Sequence, residues 1–319
     1  MNTVESEARR QVAAVQERLI ADAAVEVTAR FVTLDNGPRL QILEAGEGEP
    51  LVLLHGSGNS AVAMLPLMEQ VHGRRVIAVD RPGYGLSEPT NGLREQPRRT
   101  GVSVVLGLLD ALGLDRADLV GNSTGGFWSL WTALDRPERV RRIILVGATP
   151  LLPGTRPPIP LRLMTTPAIG NILRRVMPDP SPKTVKQMMG SMGEGDTIGR
   201  YPGLIDAFVA AGSDPIAGQA TGEELAGVIR GLLGFRPAFR FSNAELQTVT
   251  QPTLLIWGDH DPVGSLHAAQ AAADVLPHAQ VAEVPTGHAP WFGEPVLTAD
   301  LITRFLNDSS TRTLDLSGA

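Results

Sequence analysis

Val120-Gly121-Asn122-Ser123-Thr124-Gly125-Gly126 is the stretch on which the reading of this chain turns. It follows a short apolar run, Ala117 to Val120, and opens a run of helix-friendly residues, Phe127 to Leu134. A G-x-S-x-G pattern between a strand and a helix is a nucleophile elbow. So sharp a turn forces the serine into a strained backbone conformation, and the missing side chains at Gly121 and Gly125 make room for it. The hydroxyl then stands above the sheet. The next N–H, that of Thr124, sits at a helix N-terminus, where partial positive charge favours an oxyanion. With 34 glycines in the chain the pattern can also arise by chance, so its partners must decide.

A chain of 319 residues, 43% of them hydrophobic, can bury a large core as one big domain or a domain with an insertion. Its net charge is −6 with both signs dispersed, which argues against nucleic acid or an anionic membrane as the main partner. The absence of cysteine excludes disulfides, thiolate metal sites and a cysteine nucleophile, and fits a cytoplasmic location. Met1 to Arg10 is polar and partly acidic, so no signal peptide is expected, and no apolar run is long enough to span a bilayer. The expected partner is a small-molecule substrate, with the chain a monomer or a homodimer.

Residues 4–23 place Ala8, Val12, Val15, Leu19 and Ala23 at spacings of three and four, an amphipathic helix covering the domain or serving as a dimer arm. Val25–Leu34 and Arg39–Glu44 flank Asp35-Asn36-Gly37-Pro38, a hairpin signal. Leu51–Leu54, Arg75–Val79, Ala117–Val120 and Arg142–Val146 then read as buried strands, with helices between the later ones. That alternation gives a parallel sheet with crossovers. It stops at Thr149. Nine prolines fall between Pro150 and Pro182, too many for sheet or long helix, and helical segments follow around Lys183–Met189, Pro202–Ala211 and Glu223–Leu233. Strand signal returns at Pro252–Trp257 and Gln280–Val284. The expected organisation is therefore an N-terminal helix (1–24), a core (25–149 and 249–308), an inserted helical cap (150–248) and a disordered tail (309–319).

A serine nucleophile needs a base, and the base an acid that holds its tautomer. His288, in Pro285-Thr286-Gly287-His288-Ala289-Pro290-Trp291, lies just after the last expected strand, on the sheet edge where ligands of open parallel sheets bind. The strand Leu254–Trp257 runs into Gly258-Asp259-His260-Asp261, which offers two carboxylates as the acid. With these residues the chain resembles the α/β-hydrolase superfamily, whose chain order is Ser123…Asp261…His288. His55-Gly56-Ser57-Gly58 looks like that family's oxyanion loop, and Asp80 to Ser87 like its turn after the fourth strand. The resemblance covers roughly residues 30–150 and 250–308. It implies a mostly parallel, doubly wound sheet with the cap inserted, and Asp261 rather than Asp259 as acid. It also implies the N–H groups of Ser57 and Thr124 as oxyanion hole, with Gly58 as the fallback for Ser57, and His55 as a loop anchor. Asp259 is then a turn residue or an outer acceptor. The spacing of the histidines gives no metal site, the glycine-rich loop lacks a nucleotide fingerprint, and no cofactor is expected.

Trp128 and Trp131 are expected in the core, and Trp291 is a candidate wall of the substrate pocket. Met164, Met188, Met189, Met192 and Phe208 suggest an apolar roof in the insertion. The reaction read from these residues is hydrolysis of a small, hydrophobic carboxylic ester through an acyl-enzyme. The runner-up is hydrolysis of a carbon–carbon bond in a meta-cleavage-type diketone, since the elbow G-N-S-x-G-G resembles that branch. A reading of another class is a non-catalytic small-molecule binder on the same fold.

Overall fold

The structure, a computed structural model, describes residues 3–308, so the expected tail, 309–319, lies outside the described residues. Eight strands form one sheet: β1 (Val27–Thr33), β2 (Arg39–Ala45), β3 (Glu49–Leu54), β4 (Arg74–Val79), β5 (Ala117–Asn122), β6 (Val140–Val146), β7 (Thr253–Gly258) and β8 (Ala279–Val284). Their order is β1-β2-β4-β3-β5-β6-β7-β8. Strand β2 runs antiparallel to both its neighbours, and every other pairing is parallel. The β1–β2 hairpin closes where the sequence places it: Gly37 N–H donates to Leu34 O at 3.0 Å, and Asn36 takes φ 54°, a conformation that asparagine tolerates.

The apolar runs are strands because both faces of the sheet are covered. Along β3, Val52 and Leu54 join the core beneath the helices Pro97–Ala111 and Thr124–Asp135, with Val105, Phe127 and Trp131. Leu51 and Leu53 point the other way, toward Met64, Ile302 and Phe305. In β6, Ile143 and Leu145 share the first face, Ile144 and Val146 the second. Strand β3 leads to β4 on one side and pairs with β5 on the other, so the order reverses there and the carboxyl ends of β3 and β5 flank a crevice.

Between β6 and β7 the chain forms short helices, Ile159–Met164, Pro167–Val176, Pro182–Ser191, Pro202–Ser213 and Pro215–Val228. Each carries a proline in its first two positions, where the missing N–H costs nothing. Of the prolines that exclude long elements, Pro160, Pro167 and Pro182 thus serve as helix starts. The helix expected over Glu223–Leu233 ends earlier, at Val228, because Ile229 pairs with Phe235 in an antiparallel bridge around Gly231 and Gly234, whose φ values are 52° and 85°. Within these helices Met189 and Phe208 are buried, whereas Met188 is exposed.

The N-terminal helix, Thr3–Ala21, packs on the cap helix Pro202–Ser213, burying Ala8, Val12 and, unexpectedly, Gln16. Gln16 donates to the buried Asp80 carboxylate at 3.1 Å. Arg9 donates to Gly85 O at 2.7 Å and pairs with Asp214 at 3.1 Å, which ties the turn after β4 to the cap. Among the described residues no helix is long and apolar enough to cross a membrane.

Candidate active site

The elbow is built by close approach. Strand β5 ends at Asn122, and the helix Thr124–Asp135 starts one residue past Ser123, which is held at φ 51°, ψ −115°. A Cβ on Gly121 would lie 2.5 Å from Gly125 O, and one on Gly125 would lie 2.1 Å from Leu54 O. Any side chain at either position would push the helix off the sheet, so glycine is required at both. The Asn122 amide donates to Val146 O at 2.8 Å and to His288 O at 3.1 Å, binding the elbow to β6 and to the histidine loop.

Asp261 follows β7 and is nearly buried. Its Oδ2 accepts from His288 Nδ1 at 2.8 Å and from Ala148 N–H at 2.7 Å, and its Oδ1 accepts from Val263 N–H at 2.8 Å. Asp259 instead turns to the exposed ring of its neighbour His260. Of the two carboxylates, Asp261 is therefore the one that reaches His288. Its bond places the proton on Nδ1 and leaves Nε2 as the free acceptor. Burial pulls the His288 pKa down, but the Asp261 carboxylate and, behind it, Glu194 more than offset this, so it is raised above the ordinary imidazole value. Ser123 keeps partial exposure, and among the described residues no hydrogen bond yet joins its hydroxyl to His288. Such bonds often tighten only when substrate is bound.

Glu194, from the cap, was not singled out by sequence. It is buried, accepts from Ala289 N–H at 2.9 Å and from the Thr197 hydroxyl, and so fixes the residue after the histidine. Burial pushes its carboxyl up, against the bonds from Thr197, Ala289 and Gly287. The His288 N–H donates to Met192 O at 2.9 Å, a second tie from the cap to this loop.

On the other side of Ser123, the N–H groups of Ser57 and Thr124 donate to no group among the described residues. A Cβ on Gly56 would lie 3.0 Å from Ser123 Cβ, which brings the Ser57 loop against Ser123. The side chains of both residues join a buried network that sequence did not reveal. Arg81 donates to Thr124 Oγ1 at 2.8 Å and forms two bonds with Glu224 of the cap, one of them at 3.1 Å. Glu224 also accepts from Tyr84 at 2.9 Å and from the Ser57 hydroxyl. The Arg81 guanidinium lies 4.7 Å over the Trp128 ring. The only sequence signal was a charged residue, Arg81, at the end of an apolar strand.

His55 sits where an anchor would. Its Nδ1 donates to Gly56 O at 2.7 Å and its Nε2 accepts from Arg81 N–H at 3.0 Å. Burial and the Arg81 charge hold its pKa well below the usual value. Trp291 requires a correction. It is fully buried and donates Nε1–H to Ala63 O at 2.7 Å, so it locks the histidine loop onto the core and walls no open pocket. Trp128 and Trp131 are buried in the core. Among the described residues no cluster of His, Asp and Glu could hold a metal ion. A surface cleft of about 360 Å³ lined by Arg116, Arg141 and Arg142 opens at the amino ends of β5 and β6, the edge opposite Ser123.

The sequence profile of the alpha/beta hydrolase fold family matches residues 49–295. The chain is 30% identical to a 2-hydroxy-6-oxononadienedioate/2-hydroxy-6-oxononatrienedioate hydrolase of Cupriavidus pinatubonensis, over 80% of this chain and 86% of that protein. It is 32% identical to a 2-hydroxymuconate semialdehyde hydrolase of Pseudomonas putida, over 77% of this chain and 82% of the relative. Among solved structures, carboxylesterase CesB from Bacillus subtilis superimposes with a TM-score of 0.74 at 21% identity, covering 94% of this chain and 99% of that one. At that identity the likeness speaks for the fold alone.

Proposed function

The chain belongs to the alpha/beta hydrolase fold family, and we propose that it is a serine hydrolase that cleaves an uncharged carboxylic ester through an acyl-enzyme. The observation that carries this reading is the Asp261–His288 pair at 2.8 Å, tied by Asn122 to a strained serine. His288 Nε2 takes the Ser123 proton as Oγ bonds to the carbonyl carbon. The carbonyl oxygen becomes an oxyanion facing the N–H groups of Ser57 and Thr124. Collapse breaks the carbon–oxygen bond, and the alcohol leaves with the proton from His288. Water, deprotonated by His288, then releases the acid and restores Ser123. Asp261 keeps Nε2 as the acceptor and stabilises the imidazolium.

The preference for an uncharged substrate rests on Arg81. The guanidinium beside the oxyanion loop makes two bonds to the Glu224 carboxylate, so its charge is already matched within the protein. A substrate carboxylate there would meet the Glu224 carboxylate instead.

A second reading, hydrolysis of a carbon–carbon bond in a meta-cleavage-type substrate, is favoured by the 30% and 32% identity to the two relatives, whose names give a 2-hydroxy-6-oxononadienedioate and a 2-hydroxymuconate semialdehyde as what they hydrolyse. It uses the same serine, histidine and oxyanion donors. One experiment separates the two. Purified protein and Ser123→Ala are assayed on p-nitrophenyl esters of graded chain length and on a 2-hydroxy-6-oxo-dienoate. Ser123-dependent turnover of esters alone supports the first reading, and of the dienoate alone the second. No turnover and no labelling by a fluorophosphonate would overturn both and leave a binding protein.

A further inference from the structure

Four chain segments meet in a closed ring beside the oxyanion hole. Arg81 comes from the turn after β4, Thr124 from the first position of the elbow helix, Ser57 from the loop after β3, and Glu224 from the cap helix Pro215–Val228. The ring's proton directions are determined by its members. Arg81 can only donate, and does so to Thr124 Oγ1 and to both Glu224 oxygens. The Ser57 hydroxyl has one proton, and the carboxylate of Glu224 is its stronger acceptor. The longer 3.2 Å contact from the Ser57 hydroxyl to Thr124 Oγ1 is the weaker branch of the same proton. Arg81 and Glu224 are at most 1% exposed, so water does not compete for these bonds.

We propose that Glu224 is a positioning residue: through the Ser57 hydroxyl and Arg81–Thr124 it aligns the two N–H groups of the oxyanion hole, so that the hole is complete only when the cap is seated. The inference rests on the ester-hydrolase reading, or equally on its carbon–carbon alternative, since both use the same oxyanion donors. Its basis is that Ser57 and Thr124, whose N–H groups donate to no group among the described residues, are also residues whose side chains the ring holds. Ser57 belongs to a loop with no regular structure of its own, and Gly58 beside it has φ 73° with open space around its Cα. His55 holds the carbonyl side of the Gly56–Ser57 peptide, and the bond to Glu224 holds the Ser57 side chain beyond its N–H.

The geometry separates positioning from simple electrostatics. A Glu224→Gln substitution keeps the shape and removes the charge, leaving the Arg81 cation unbalanced near the oxyanion. If charge alone mattered, that cation would help the oxyanion and kcat would rise. If Glu224 aligns the donors, kcat falls.

The test is the steady-state kinetics of Glu224→Gln, Ser57→Ala and the double variant on the ester or dienoate that the wild type turns over through Ser123. The expected result is a kcat lower by about 10- to 100-fold in Glu224→Gln with KM within about threefold, less than the loss of a whole oxyanion donor. In the Ser57→Ala background the same substitution has a much smaller effect, because the path it acts through is gone. An unchanged or raised kcat in Glu224→Gln, or losses that multiply in the double variant, would overturn the proposal. Should Glu224→Gln not fold, Ser57→Ala alone decides: a lower kcat at unchanged KM supports the ring, and a wild-type kcat refutes it. A wild type without Ser123-dependent turnover would overturn the hydrolase reading and this inference together. An active wild type with an indifferent Glu224 overturns the inference only.

Discussion

Asp261 Oδ2 accepts from His288 Nδ1 at 2.8 Å across 27 residues of chain, and the same oxygen accepts from Ala148 N–H at 2.7 Å. Asp261 is thus oriented by the backbone after β6, the strand next to the elbow, and in turn orients His288. Asp259, two residues away, has no such support and faces outward to His260.

Replacing Asp261 by asparagine should therefore lower kcat by about 10³- to 10⁴-fold, because an amide presented to Nδ1 favours the tautomer that blocks Nε2. Asp259→Asn, a surface change, should leave kcat/KM within about twofold. Steady-state kinetics on one substrate ranks the two, and the reverse ranking would remove Asp261 from the mechanism.

The pH profile follows from the raised His288 pKa. Only the neutral ring can take the serine proton, so kcat/KM should fall on the acid side, with its midpoint above the ordinary imidazole value. Glu194 contributes to that rise through its charge, so Glu194→Gln should move the limb to lower pH, while its amide oxygen can still accept from Ala289 N–H. A limb that stays in place in Glu194→Gln would show that the carboxylate does not act on the base.

His55 makes the opposite kind of prediction, one of stability. Its folded pKa is depressed by burial and by Arg81, so the unfolded chain binds the proton more readily. Its contribution is complete above the unfolded imidazole pKa of about 6.5 and is lost as pH falls below it, with a slope approaching about 1.4 kcal/mol per pH unit. Urea midpoints at descending pH should therefore fall less steeply in His55→Asn than in the wild type. Equal slopes would mean that His55 accepts a proton in the folded protein.

The elbow glycines can be tested without any substrate. A Cβ at Gly125 would sit 2.1 Å from Leu54 O, a backbone atom of the central strand that cannot move aside. Gly125→Ala should destabilise the fold by at least about 1–3 kcal/mol, the usual cost of overpacking. Gly199→Ala, where a Cβ meets nothing within 4 Å, is the matched control and should melt close to the wild type. Similar melting of the two variants would contradict the close approach of helix and sheet.

Much of the fold is legible in the chain because it is written locally. Leu51–Leu54 and Leu254–Trp257 are continuous apolar runs, and only strands covered on both faces need them. Asn36-Gly37 marks its own hairpin, and the elbow is spelled by glycines that must let a helix touch a strand. The cap is less legible. Its prolines signal interruption but not direction, and the segment after Val228 turns back on itself where helical periodicity continues in the sequence. Trp291 reads in the sequence as a candidate pocket wall, although an indole suits a core equally well. The carbonyl of Ala63, more than 200 residues away, settles it in the core.

By itself, then, the sequence determined the order of strands and helices along the chain, the site of the strained serine, and the placing of Ser123, the Asp259 and Asp261 pair, and His288 after strands. These follow from apolar periodicity and from steric limits that act over a few residues. Only the tertiary structure decided that Asp261 rather than Asp259 meets His288, and that Glu194 and Glu224 reach down from the cap. Arg81 and Glu224 are separated by 143 residues, and each alone reads as an ordinary charged side chain. Burying either without the other would cost far more than any local preference could offset, so their pairing is a property of the packed cap and core together.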